Sequence, residues 1–168
     1  AGIVCTTSKI DKNNIIDYLN FPERIYPVGR LDKESTGLLL LTNNGQLMDD
    51  ILRGSNYHEK EYIVHVNKPI TDSVLQAMAQ GVPILDTITR PCKIRRMGKD
   101  CFYITLTQGL NRQIRRMCEY FDYRVTSLKR IRIMNIELGS LPVGKWRELT
   151  PSEIKTLKNL AQNKGEAE

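Results

Sequence analysis

The sequence predicts an α+β fold built on a mixed, mainly antiparallel β-sheet. Segments rich in β-branched and aromatic residues outnumber those that a regular β–α–β alternation would supply. Two of them, residues 87–97 and 101–107, are separated only by Gly98-Lys99-Asp100, which is typical of an antiparallel hairpin. With 168 residues, of which 40% are hydrophobic, the chain is long enough for one domain with a sizeable core.

Three further segments have strand character. The four leucines at positions 38 to 41 form a run too short for a free-standing helix, so they predict a buried strand over residues 37–42. Asn44-Gly45 then provides a turn signal. Residues 60–66 alternate, with Tyr62 on the apolar face, and predict a second strand. Residues 125–138 are expected to contain one or two more.

Capping signals and apolar spacing predict five helices. Thr71 is a suitable N-cap for a helix that ends at Gly81. Thr150-Pro151-Ser152-Glu153 begins the last helix, with threonine at the cap, proline at the first position and glutamate at the third. That helix should run to about residue 162, before a frayed polar tail. The other predicted helices span residues 13–19, 46–53 (ended by Gly54) and 111–121.

The composition disfavours several classes of protein. No window approaches the ~18 apolar residues of a membrane span, and the first residues lack the pattern of a signal peptide. The four cysteines show no Cys-x-x-Cys spacing and the two histidines form no helical pair, so we expect no metal site. We interpret the cysteines as reduced thiols of a cytoplasmic protein.

The positive charge is concentrated in one part of the chain. Residues 90–132 contain twelve Lys and Arg against three Asp and Glu, a net charge of +9, whereas the remaining residues carry −3. Such asymmetry favours a polyanionic partner, RNA or DNA. A merely solvated strand face is an equal alternative on charge alone.

Asp32 is the first candidate for chemistry. It follows Arg30 in Gly29-Arg30-Leu31-Asp32 and precedes the buried leucines, so its loop enters the core directly and can hold a carboxylate rigidly. An ordinary solvated loop acid is the alternative.

The predicted helix 111–121 carries the second candidate group. At ~100° per residue, Arg112, Arg115 and Arg116 fall on one side with Glu119, opposite the apolar residues. One of these arginines can be accounted for as part of an exposed basic face that pairs with Glu119. The others favour phosphate or carboxylate partners, which a guanidinium binds with two parallel hydrogen bonds.

Five motifs, in this order along the chain, resemble those of the ribosomal RNA pseudouridine synthases, and most closely those of the large-subunit type. They are Gly-Arg-Leu-Asp with Ser-Thr-Gly-Leu-Leu (29–39), Lys60-Glu61-Tyr62, Gln-Gly-Leu-Asn-Arg-Gln-Ile-Arg-Arg-Met (108–117), Arg-Ile-Arg-Ile-Met (130–134) and Gly-Lys-Trp-Arg-Glu-Leu-Thr (144–150).

The resemblance implies one long central sheet flanked by helices, with two lobes around a catalytic cleft. The cleft would lie between the Asp32 loop and the helix at 111. We expect residues 1–168 to be the catalytic domain, cut within the first strand motif and without the RNA-binding module that many members carry ahead of it.

The resemblance also implies roles for individual residues. Asp32 would be the essential carboxylate, and Arg115 would pair with it and keep it ionised. Tyr62 would stack near the target base and is a candidate for proton transfer, although a half-buried core tyrosine is the alternative. Lys60, on the same strand face, would support Tyr62 or contact phosphate. Arg30 would enter the RNA where the target nucleotide is extruded, or else pair with Asp32 on the surface.

The reaction implied is isomerisation of one uridine of 23S ribosomal RNA to pseudouridine by a monomer that needs no metal or cofactor. The reaction breaks the N1–C1′ bond and joins C5 to C1′. It requires a carboxylate at the sugar and a base that removes the C5 proton. The target nucleotide must first be extruded from its stack. A glycosidase would need a second carboxylate in the cleft, which no spacing supports. A non-catalytic RNA-binding module is the principal alternative. The residues expected to bind RNA are Arg30, Lys60, Lys93, Arg95, Arg96, Lys99, Arg112, Arg116, Lys129, Arg130 and Arg132, with the 87–107 hairpin meeting RNA by its edge or tip.

Overall fold

A computed structural model describes residues 14–53 and 57–162. The predictions for the chain start, for Gly54 and for the tail after residue 162 lie outside these residues. The strands are β1 (Tyr26–Val28), β2 (Thr36–Gly37), β3 (Leu40–Thr42), β4 (Lys60–Val66), β5 (Pro83–Ile84), β6 (Thr87–Ile88), β7 (Lys93–Arg96), β8 (Cys101–Leu106), β9 (Val125–Ile133) and β10 (Ile136–Glu137). The helices are α1 (Ile15–Leu19), α2 (Gly45–Leu52), α3 (Asp72–Gln80), α4 (Gln113–Tyr120) and α5 (Pro151–Gln162).

The predicted α+β class with a mixed, mainly antiparallel sheet is confirmed. The central sheet has the order β10–β9–β4–β8–β7, with every neighbouring pair antiparallel. The sixth strand, β2, pairs with β9 in parallel and makes the sheet mixed. Two small antiparallel pairs, β1–β3 and β5–β6, lie outside it. The strand predicted over residues 60–66 is β4, and the stretch 125–138 supplies β9 and β10.

The predicted strand over residues 37–42 was wrong as one element. It is divided into β2, which pairs with β9, and β3, which pairs with β1. The break follows Gly37, whose φ is +110° and which lies so close to β9 that a Cβ would overlap the backbone of Arg130. The chain therefore leaves one sheet for another at this glycine.

The first strand of the predicted hairpin was wrong in the same way. Thr87 and Ile88 pair with β5, and only β7 pairs with β8. Pro91 lies between them, and proline cannot donate a backbone hydrogen bond to a continuous ladder.

Both predicted cap residues are confirmed. The Thr71 hydroxyl accepts a hydrogen bond from the Val74 amide (3.2 Å), and Gly81 follows α3. At α5, the Thr150 hydroxyl accepts from the Glu153 amide (3.1 Å), and the Glu153 carboxylate accepts from the Thr150 amide (2.9 Å). This reciprocal pair satisfies two amides that a helix start would otherwise leave unbonded.

Two hydrophobic clusters pack against the same sheet. The first packs α3 and α4 against β4 and β8, with Phe102 and Met117 fully buried. The second joins β1, β3, α2 and α5 around Ile133 and Leu157. Burying one such side chain contributes roughly 1.5–3 kcal/mol. Since β9 supplies residues to both clusters, it connects them. In the described part of the chain, no helix has the length and apolar character needed to cross a bilayer.

Candidate active site

The loop over residues 30–38, called here the Asp32 loop, is tied to the core on its C-terminal side. The Ser35 amide donates to the Asp32 carbonyl (2.9 Å), which closes a tight turn directly after the carboxylate. The Leu38 amide donates to the Arg130 carbonyl of β9 (2.8 Å). The Asp32 side chain remains 33% exposed, so it is anchored by its backbone while its carboxylate can be reached from solvent.

Two arginines, one just before α4 and one in its first turn, face Asp32. The Asp32 Oδ2 atom lies 3.7 Å from the Arg115 Nε and 3.8 Å from the Arg112 Nη1. The Arg115 side chain is only 11% exposed, and its Nη2 donates to the Ser35 hydroxyl (3.2 Å). Arg115 therefore contacts both the carboxylate and the turn that carries it. The structure thus brings Asp32 and Arg115 together, while the catalytic cleft between them stays a prediction.

The predicted helix start at residue 111 was two residues early. Arg112 has a left-handed backbone (φ 50°) and precedes α4, so it is not part of the helical arginine face. From there its guanidinium reaches Glu34 (3.3 Å) as well as Asp32. Backbone hydrogen bonding first, and Arg112 second, hold the pKa of Glu34 below its usual range. The buried face formed by Ile114, Met117 and Cys118 is as predicted.

Arg116 binds Asn111, at the turn before α4. Its Nε and Nη2 donate to the carbonyl and side-chain oxygens of Asn111, both at 2.9 Å. These hydrogen bonds stabilise the turn that precedes α4. Its predicted contact with RNA stays a prediction.

Tyr62 and Lys60 lie together on β4, as the alternation predicted. Tyr62 is half-buried against the first cluster and lies opposite Arg130 in the β4–β9 ladder. Burial first, and the charge of Arg130 second, lower the pKa of Lys60 from its usual value. The Lys60 amine also lies next to Gly109, in the loop that leads to α4.

The other eight basic residues predicted to bind RNA fall into two groups. Arg30, Lys93, Arg95, Lys99 and Lys129 have exposed side chains. On the β7–β8 hairpin, the Arg95 guanidinium stacks over the Tyr103 ring at 4.2 Å, and Lys93 is 83% exposed with one long ion pair to Glu59 (3.4 Å).

The second group is bound to other groups of the chain, which corrects the prediction for the buried Arg130 and leaves the RNA contacts of Arg96 and Arg132 as predictions. Arg130 is only 3% exposed, so it cannot be a surface contact for RNA. Arg96 donates five hydrogen bonds, to Asp72 and to the carbonyls of residues 70, 98 and 99. Arg132 is held between Glu59 and Glu61 (3.4 and 3.2 Å).

Sequence reasoning missed two parts of this site. Ser35 is buried and joins Arg115 to the Asp32 loop, yet its only signal was its position within the first motif. Arg130 was assigned to RNA, although its side chain binds the backbone of the Asp32 loop. Neither role has a local sequence signal, because both contacts join segments at least 80 residues apart.

The thiols of Cys92 and Cys118 belong to the core. Burial raises the pKa of the Cys92 thiol to about 11 and that of Cys118 to about 12, as expected of small core residues. Within residues 14–53 and 57–162, no three His, Cys, Asp or Glu side chains are grouped as metal ligands would be.

Comparison with known proteins gives a consistent result. A family described as RNA pseudouridylate synthase matches residues 1–120. The dual-specificity RNA pseudouridine synthase RluF of Salmonella typhi is 55% identical over 161 residues, covering 96% of this chain and 56% of the relative. The ribosomal large subunit pseudouridine synthase B of Bacillus subtilis is 35% identical over 152 residues, covering 87% of this chain and 62% of the relative. The chain thus spans little more than half the length of these relatives.

A solved structure gives the same relationship for the fold. The crystal structure of a pseudouridylate synthase superimposes with a TM-score of 0.87 at 31% identity, covering 93% of this chain and 69% of that chain. The architecture described above is therefore that of a known pseudouridylate synthase.

Proposed function

The chain belongs to the RNA pseudouridylate synthase family, and we propose that it converts a uridine of ribosomal RNA to pseudouridine, with Asp32 as the essential carboxylate. One observation carries the residue assignment. Asp32 is fixed by its backbone, reachable from solvent, and faced at 3.7 to 3.8 Å by the guanidinium groups of Arg115 and Arg112. A simple RNA-binding surface gives no reason for a carboxylate in that position, because it would repel phosphate.

The reaction needs one carboxylate at the sugar and one base at the uracil. Asp32 would act at C1′, either as a nucleophile or by assisting elimination of the base. After the uracil has turned, the proton on C5 must leave, and Tyr62 is our candidate for that transfer. The N1–C1′ bond is exchanged for a C5–C1′ bond, so the reaction involves no net oxidation or reduction.

The target uridine must leave its stack before Asp32 can reach C1′, at a cost of a few kcal/mol. We assign Arg30 to this step, since its side chain is exposed only two residues before Asp32. The exposed basic residues of the β7–β8 hairpin, together with Lys129, would hold the surrounding RNA. The residues of the second group, Arg96, Arg130 and Arg132, are left out of this proposal.

We further propose 23S ribosomal RNA in the bacterial cytoplasm as the substrate. The name of the Bacillus subtilis relative, which refers to the large ribosomal subunit, supports this choice. The term dual-specificity in the name of the Salmonella relative supports a second RNA target. A single copy should be sufficient, because Asp32 and the two arginines that face it come from one chain. Size-exclusion chromatography of the active protein tests the monomer directly.

The decisive experiment uses RNA labelled with tritium at uracil C5, which releases the label when the new bond forms at that carbon. We expect release of the label from 23S transcripts. Total transfer RNA is tested in parallel as a second substrate. Asp32→Asn should abolish release while circular dichroism and RNA binding stay unchanged, because the change is isosteric. Glu34→Gln is the matched control, since Glu34 is an exposed acid in the same loop that also pairs with Arg112.

The outcomes separate the alternatives. Wild-type protein that binds RNA but releases no tritium from any RNA would favour a non-catalytic binding module. Activity within tenfold of wild type in folded Asp32→Asn protein would exclude Asp32 as the essential residue. Loss of activity in Glu34→Gln as well would show that loop charge, rather than Asp32 itself, is required.

A further inference from the structure

Arg130 is a buried cation with no acidic partner in the described part of the chain. It is 3% exposed, and no described carboxylate lies within ion-pair distance of it. Its Nη2 also lacks a hydrogen-bond partner among the described residues. A buried charge without a partner costs several kcal/mol, so stability alone is a poor reason for an arginine at this point.

The other guanidinium nitrogens of Arg130 contact both ends of the Asp32 loop. The Nε donates to the Leu38 carbonyl at 2.8 Å, and the Nη1 donates to the Arg30 carbonyl at 3.3 Å. One planar group thus bridges the residue two before Asp32 and the residue six after it. We propose that Arg130 is a positioning residue that clamps the Asp32 loop and so fixes the carboxylate opposite Arg115.

The backbone of Arg130 also contacts the Asp32 loop, but only the part of the loop that follows Asp32. Its carbonyl accepts from the Leu38 amide (2.8 Å), and β2 pairs with β9 at this residue. These contacts lie after Asp32. The part of the loop before Asp32 is contacted by the Arg130 side chain, whose Nη1 donates to the Arg30 carbonyl. That bond connects the segment that enters the loop to β9.

The clamp requires an arginine in particular. Its rigid fork donates in two directions at once, whereas a lysine offers one compact ammonium group that cannot reach both carbonyls. The requirement for position is strict, because a displacement of ~1 Å at a reacting group can reduce a rate ~100-fold. The Asp32–Arg115 separation is 3.7 Å, so a displacement of this size would change the distance between the two groups by about a quarter.

This inference rests on the proposed function, so its test combines a catalytic readout with one that needs no activity. Arg130→Lys keeps the charge and removes the fork, and Arg130→Met removes both. We expect single-turnover tritium release to fall ~100-fold in both variants, while the Kd for RNA and the KM change within about threefold. Arg147→Lys is the matched control, because it makes the same exchange at an exposed arginine outside the cleft, and it should keep the wild-type rate.

Hydrogen exchange measured by mass spectrometry gives the second readout. In Arg130→Lys, the amides of residues 30–38 should exchange faster, whereas those of β4 and β8 should keep wild-type protection. Faster exchange throughout the central sheet would show a general role in stability and overturn the proposal. So would unchanged exchange in the loop, or a turnover rate within about threefold of wild type.

Failure of the proposed function would be seen separately. If wild-type protein releases no tritium from any RNA, the enzymatic assignment fails, and the exchange experiment alone decides whether Arg130 holds the loop. If Arg130→Met does not fold, Arg130→Lys decides both readouts.

Discussion

At the scale of single residues, the site depends on the pair formed by Asp32 and Arg115 and on the contacts that hold this pair in place. The two residues lie in separate motifs, and each motif has a recognisable pattern, so their meeting follows from the family resemblance. Ser35 and Arg130 complete the site through contacts over 80 and 92 residues. Local spacing carries no signal for such contacts, because they depend on how β2 and β9 align in the sheet.

Arg115→Ala tests the importance of the pair. We expect turnover to fall by at least ~100-fold, because the carboxylate loses the group that faces it. The free energy of unfolding should fall by only about 1 kcal/mol, since Asp32 is one-third exposed and water can solvate it. Tritium release and urea unfolding measure the two effects.

Arg115→Lys is the comparison for that experiment, because it keeps the charge and removes the second donor that reaches Ser35. An intermediate rate is expected. A double-mutant cycle with Asp32→Asn, measured on stability, should give a coupling of about 0.5 kcal/mol or more. Simple additivity would count against direct pairing in the folded protein.

At the scale of elements, helix and strand identities were predictable where capping residues or alternation mark them. The start of α5 and the limits of α3 and β4 follow from local signals, and all were confirmed. The division of residues 36–42 between two sheets was not predictable. Four leucines have the same pattern whether they continue along one sheet or leave it, and only the close approach of Gly37 to β9 decides between these outcomes.

The capping box of α5 provides a pH-dependent prediction. A hydrogen-bonded pair with Arg147 first, and the Thr150 amide second, hold the pKa of Glu153 at about 2, below its ordinary value of 4.5. A lowered carboxyl pKa stabilises the fold above the unfolded pKa, and that stabilisation is lost as pH falls through the folded one. Glu153→Gln should therefore be less stable than wild type at neutral pH, and the difference should disappear as pH falls from 4.5 towards 2.

Thermal unfolding of both proteins across that pH range measures the effect. The difference should be small and should shrink further at high salt, since the pair is exposed. Glutamine can still accept from the Thr150 amide, so the comparison isolates the ionic part of the cap. A difference that persists at the acidic end of the range would show that the ionised carboxylate is not its cause.

At the scale of the whole molecule, the basic region of the sequence contains two kinds of cation. Some are exposed to solvent, and others are bonded to groups of the same chain. The net charge of residues 90–132 predicts a polyanionic partner, but charge counting cannot tell a free cation from one used inside the fold. Arg96, Arg130 and Arg132 direct their donors to carbonyls and carboxylates of this chain. The cations left for RNA on the β7–β8 hairpin are consequently fewer than the sequence suggests.

The hairpin prediction follows from this separation. Neutralising Lys93, Arg95 and Lys99 in turn should weaken binding to many RNAs alike and leave the single-turnover rate at saturating RNA unchanged. For every phosphate that a variant no longer binds, the slope of log K against log salt should fall by about 0.7–0.9. The binding titration is repeated at several salt concentrations to obtain that slope.

Arg96→Gln is the contrasting variant on the same strand. Its five hydrogen bonds join β7 to the start of α3, so its replacement should lower the melting temperature rather than the salt slope. If all four substitutions reduce the slope equally, the division into free cations and cations bonded within the chain is wrong. If none does, the hairpin is only a solvated face, and the RNA must approach the cleft from the side of Arg30 and Lys129.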